Sequence, residues 1–187
     1  MLMPTLGVFL IFNAGTHLSY LPFEVRRLVY IIVFVSTCLL PVSILPLFLQ
    51  IKLIRSFRME NARERVYPAL ATGVFYLLGY FLITRLNISS LIEGFVLSSI
   101  VTIMIAVAVS RFWKISLHAI ALGGVTGALV GIMLHYGIDL IALVGAMLLV
   151  SGLTMMARLF LNAHNPPQVY AGYAIGFLVV LGGVFFF

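Results

Sequence analysis

Long apolar runs, broken only by short polar clusters, constrain this chain more than any other feature. They cover residues 6–21, 28–54, 69–84, 91–109, 116–135, 140–157 and 167–187. Most approach or exceed the ~20 residues with which an α-helix crosses the hydrocarbon of a bilayer. They are too long and too unbroken for barrel strands, and a helix satisfies its own backbone in lipid. The expected fold is therefore all-α: a polytopic integral membrane bundle of six to seven helices. The first run is short and carries Asn13, Gly15 and His17, so it is expected to be tilted, re-entrant or interfacial. Pro41 and Pro46 are expected to kink the second, because each removes a backbone donor.

Composition excludes a water-soluble globule. Only 9% of the 187 residues are charged and 63% are hydrophobic, against about 25% charged in soluble domains, and mean hydropathy is +1.21. The spans and their connections use up the length, so one membrane domain over residues 1–187 is expected. A removable signal peptide is not expected, since no basic residue precedes the first run. The single Cys38 offers neither an internal disulfide nor a thiolate cluster. The basic residues sit at the ends of apolar runs rather than among exposed polar sequence, so membrane lipids are expected partners and nucleic acid is not. The expected location is a prokaryotic cytoplasmic (inner) membrane; the oligomeric state is not legible.

Counting crossings puts three polar clusters, at residues 55–68, 111–118 and 158–167, on one face. That face holds Lys52, Arg55, Arg58, Arg63, Arg65, Arg111, Lys114 and Arg158 against Glu60 and Glu64. The other carries Arg26, Arg27 and Arg85 against Glu24, Glu93 and Asp139, so the whole excess of +6 lies on one side. Two explanations fit: the positive-inside rule, which would make that face cytoplasmic, and an anion site, which gathers Arg and Lys on either side. The count does not choose between them.

Glycines recur every four residues at Gly123, Gly127 and Gly131, and again at Gly172 and Gly176. Such stripes let helices approach closely, so the fifth and seventh helices are expected to pack tightly. On the cationic face, Arg158 ends one helix and Asn165 with Pro166 and Pro167 begins the next, with His164 between them. Ser116 is placed to cap the fifth helix, with His118 in its first turn. Ionisable groups are costly in so apolar a chain, so each calls for a partner or a task.

These segments resemble the type 2 phosphatidic acid phosphatase superfamily of integral-membrane lipid phosphatases. The family motifs are Lys, six residues, Arg-Pro; then Pro-Ser-Gly-His; then Ser-Arg, five residues, His, three residues, Asp. Here Arg158 and His164 keep the five-residue gap, Ser116-Leu117-His118 keeps the Ser-any-His core, and Arg58 and Arg65 have six residues between them, with Pro68 displaced by two positions. The resemblance covers about two thirds of the chain, roughly residues 58–176, and puts a phosphatase-like core at about 55–187. The chain departs from the pattern at Ile115, Leu117, Ala157 and Gln168, the last in place of the Asp that orients the nucleophile.

The resemblance implies that His164 attacks phosphorus to form a phosphohistidine while His118 protonates the leaving oxygen. Arg158, Arg65, Ser116, Arg58 and Lys114 would hold the phosphoryl oxygens, and Gln168 would stand in the orienting position. The implied substrate is a lipid phosphate or a polyprenyl diphosphate, its tail remaining in the bilayer; no metal or other cofactor is called for. A family relative with attenuated catalysis that binds or presents lipid is an open alternative, as is a small transporter or assembly subunit. The plainer readings also stand: Arg158 as a helix C-cap, Ser116 as an N-cap, Arg55, Arg63 and Arg111 as headgroup anchors, and His17, His135, Trp113 and the tyrosines as interfacial residues.

Overall fold

The computed structural model describes residues 2–54 and 66–187. They form α1 (Met3–Phe12), α2 (Phe23–Gln50), α3 (Val66–Thr84), α4 (Ser90–Ser110), α5 (Leu117–Tyr136), α6 (Ile141–Phe160) and α7 (Pro166–Phe186). No strand occurs among the described residues. From α2 onward the six helices are each long and apolar enough to cross a membrane, as a multi-pass membrane protein requires. The outward surface agrees with that reading. On α6, Leu149, Leu153, Met156 and Phe160 all point outward, a face that suits hydrocarbon rather than water.

The ten residues of α1 reach about 15 Å, and Val8, Ile11 and Phe12 are wholly buried. The helix is held from its end: Ser19 Oγ donates to the Phe12 carbonyl at 2.8 Å, and Thr16 Oγ1 accepts from the Leu18 N–H in the 3₁₀ turn that follows. Phe12 meets Tyr30 of α2 edge-on with centroids 5.3 Å apart. Gly7 lets the Phe95 ring of α4 lie directly on the α1 backbone, where a Cβ would collide with it. α1 is thus a half-length helix inserted in the core.

The proline kink in α2 takes a defined form. Pro41 has no N–H for the carbonyl of Thr37, and a π turn over Val35–Leu39 absorbs the mismatch; the helix is interrupted again at Ile44, before Pro46. Ser36 in the π turn packs against α3 at Gly79, where a Cβ would strike its hydroxyl. The α3 start, the α4 end, the α5 start, the α6 end and the α7 start lie on one side of the bundle, where Pro68, Lys114, His118, Arg158 and His164 line one cavity.

Candidate active site at the cationic mouth

The site depends on the seam between α5 and α7, which run parallel. A Cβ on Gly123 would strike the Tyr173 carbonyl, one on Gly127 the Phe177 carbonyl, and one on Gly176 the Ile120 carbonyl. On Gly172 a Cβ would lie 2.9 Å from the Ser116 carbonyl oxygen. The two backbones therefore touch, as the glycine spacing predicts. Polar bonds pin both ends. The Ser116 N–H donates to the Gln168 carbonyl at 3.2 Å, and at the far end His135 Nδ1 donates to the Phe185 carbonyl at 2.9 Å.

The same register brings His164, just before α7, beside the strand of chain leading into α5. Nδ1 of His164 lies 3.2 Å from the Lys114 carbonyl oxygen and 3.2 Å from Gln168 Oε1. Oε1 also receives the Asn165 N–H at 3.2 Å, the reciprocal half of a capping box that starts α7. A backbone N–H can only donate, so the amide oxygen faces that side, and a carbonyl can only accept. Both neighbours of Nδ1 are therefore acceptors. The proton this network assigns to the ring is therefore on Nδ1. Gln168 thus meets His164 Nδ1 through an amide oxygen rather than a carboxylate.

His118 stands in the first turn of α5, exposed at the mouth. One terminal guanidinium nitrogen of Arg158, in the last turn of α6, lies 2.6 Å from both of its ring nitrogens. An N–H can serve only one lone pair, so the guanidinium lies against the imidazole rather than bonding to both of its nitrogens. Asn162, with φ of 51°, turns the chain out of α6 in the left-handed region open to Asn. It also lines the mouth. Sequence reasoning passed over it, although an Asn just past a helix end is a recognisable C-terminal signal.

Lys114, His118, Arg158 and His164 line a single cavity of about 1040 Å³. Ser116 does not join them at its surface. It is fully buried, with Oγ accepting from the Ala119 N–H at 3.4 Å as the α5 N-cap. That is the N-cap reading of Ser116: it holds the helix end on which His118 stands. Arg58 and Arg65 lie outside the described residues, as do Arg55, Arg63, Glu60 and Glu64. No group of three or more His, Cys, Asp or Glu side chains is placed to hold a metal ion among the described residues. The geometry provides two imidazoles of different burial, a guanidinium fork and the positive end of α5 around one opening, a set suited to an oxyanion.

Comparison with known proteins gave no match: no family model fits the chain, and no curated protein or solved structure is significantly similar to it.

Proposed function

We propose that this chain is a phosphohydrolase of the type 2 phosphatidic acid phosphatase kind, acting on a lipid phosphate or polyprenyl diphosphate in a prokaryotic cytoplasmic membrane. One observation carries the reading: His164, its Nδ1 held between two acceptors, shares one mouth with His118, Arg158 and Lys114, and the reading gives its Nε2 the part of nucleophile. In the reaction, Nε2 bonds to phosphorus and the ester P–O bond breaks. The departing oxygen takes a proton from His118. Arg158 turns from the ring to the phosphoryl oxygens, freeing His118 to carry that proton. A water, deprotonated by His118, then attacks phosphorus, the P–N bond breaks, and phosphate leaves with His164 restored.

The test is phosphate release from phosphatidic acid by the full chain in detergent. His164→Ala is expected to lower it by at least about 10³-fold, and acid-labile phosphate is expected on His164 of the unsubstituted protein after a quench. Release unchanged in His164→Ala would remove the proposed nucleophile. The neutral amide of Gln168 favours a second reading, a relative that holds lipid phosphate with little turnover. In that case the protein binds vanadate at the mouth, Arg158→Ala abolishes the binding, and no phosphate is released.

A further inference from the structure

The cavity is far deeper than a phosphate requires. From its polar rim it descends between α3, α4, α5 and α7, past Ile103, Ala121 and Val125, to Phe95 and Val180. Phe95 is fifteen residues from Ser110 at the cationic end of α4, and Val180 is fourteen from Pro166 at the cationic end of α7. At 1.5 Å per residue these depths are about 22 and 21 Å, so two independent helices put the floor at one level. Met3 and Pro4 of α1 line the cavity too. The half-length helix enters from the opposite side of the bundle, where His17 beyond its C-terminal end meets Ser89, just before α4.

The walls are apolar in effect. The hydroxyls of Thr72, Ser99 and Thr102 line the cavity, but each donates back to its own helix, to Pro68, Phe95 and Ser98 carbonyls at 2.7, 2.8 and 2.7 Å. Their donors are thereby satisfied, and they present little that would demand water. Below the rim, walls that offer water few partners suit a hydrocarbon chain better than water. One leaflet's chains occupy about 15 Å of hydrocarbon, so the depth exceeds what a single acyl chain needs.

We propose that this cavity is an internal tail channel: one hydrocarbon chain of the lipid phosphate lies inside the bundle, and α1 with Phe95 and Val180 forms the stop that sets its length. The inference rests on the reading that the phosphate sits at the mouth, and departs from the expectation that the tail stays in the bilayer. α1 contributes to the stop through Met3 and Pro4, which line the cavity, and through Gly7, whose backbone is in direct contact with the Phe95 ring.

The test uses the full chain in nanodiscs and straight-chain alkyl monophosphates with a diazirine at the tail end, in a series of increasing length. Photolabel is expected to move from the level of Thr102 and Ile103 to Phe95, Val180 and Met3 as the tail lengthens, and to do so equally in His164→Ala. Label on outward residues such as Leu149 and Leu153, independent of length, would overturn the channel. Ser99→Phe plugs the shaft midway. It is expected to lower floor labelling by the longest probe at least about tenfold, since several buried methylenes are expelled, while Ser99→Ala does not. Unchanged floor labelling in a folded Ser99→Phe protein would also overturn it. Labelling does not depend on turnover, so hydrolysis without floor labelling refutes the channel alone. Floor labelling without hydrolysis refutes the phosphohydrolase reading alone.

Discussion

Replacing Gln168 by Glu changes one atom pair at the centre of the proposed site and leaves the backbone design intact. Glu has the length of Gln, so its oxygen can take the place of Oε1, 3.2 Å from both His164 Nδ1 and the Asn165 N–H. Glu is also the favoured partner in a capping box, and a negative charge in the first turn of α7 is stabilising by about 0.3–1 kcal/mol. The fold should therefore hold. Attack through Nε2 places positive charge on the ring, which the Nδ1–H shares with its acceptor. A hydrogen bond between neutral groups contributes about 0.5–1.5 kcal/mol and one to a charged group about 1.5–3. The difference of about 1–1.5 kcal/mol predicts a rise of roughly tenfold in the rate of phosphoenzyme formation. The assay is single-turnover labelling with radioactive phosphatidic acid, because the same carboxylate stabilises the phosphoimidazolium and has no reason to speed its hydrolysis. Gln168→Asp draws the oxygen back by about one bond, ~1.5 Å, from both donors and should not give the gain. A Gln168→Glu protein with an unaltered thermal transition and no faster labelling would refute the orienting role of residue 168.

Three further outcomes follow from the geometry. Ser116→Ala should cost about 1 kcal/mol of stability through the lost N-cap, with turnover per folded molecule unchanged; a loss near 100-fold in folded protein would instead put the hydroxyl on the phosphoryl group. Gly176→Leu, which drives a side chain into the Ile120 carbonyl, should cost about 3 kcal/mol or prevent assembly. Gly152→Leu on α6, where nothing lies within 4 Å of a Cβ, should stay within about 0.5 kcal/mol, and equal thermal shifts for the two would contradict the seam. Arg158→Lys keeps the charge but loses the planar fork, so KM for phosphatidic acid should rise about tenfold with the protein fully folded; an unchanged KM would place Arg158 away from the phosphoryl oxygens.

What the residues alone reveal here, and what they conceal, divides along a physical line. Spans are legible because lipid demands some twenty apolar residues in a row, and the bounds of α4, α5 and α7 fall within one residue of the hydropathic ones. The seam is legible because Gly123, Gly127 and Gly131 have no other use on an apolar helix. The depth of α1 is not, since a short apolar run suits an interface as well as a core; its burial depends on Phe95 finding Gly7 and Tyr30 finding Phe12. Likewise α2 begins at Phe23 rather than 28, because Pro22 can start a helix that Glu24, Arg26 and Arg27 then extend beyond the apolar run. The cavity is hidden for a related reason: Tyr76, Ser99 and Thr102 sit on helices that read as plain spans, and only their relative rotation turns them inward. His164 shows the join between the two kinds of information. Its spacing from Arg158 is written in one segment, but the Lys114 carbonyl that accepts from its Nδ1 is fifty residues away. The glycine contacts set that offset, pairing Ser116 with Gln168 at one end of the seam and His135 with Phe185 at the other. A glycine substitution that slid α7 by one turn, about 5.4 Å, would remove the Lys114 acceptor from Nδ1 and move His164 away from His118 while leaving every motif residue in place. The proposed chemistry therefore depends as directly on the packing of Gly172 and Gly176 as on the imidazoles themselves.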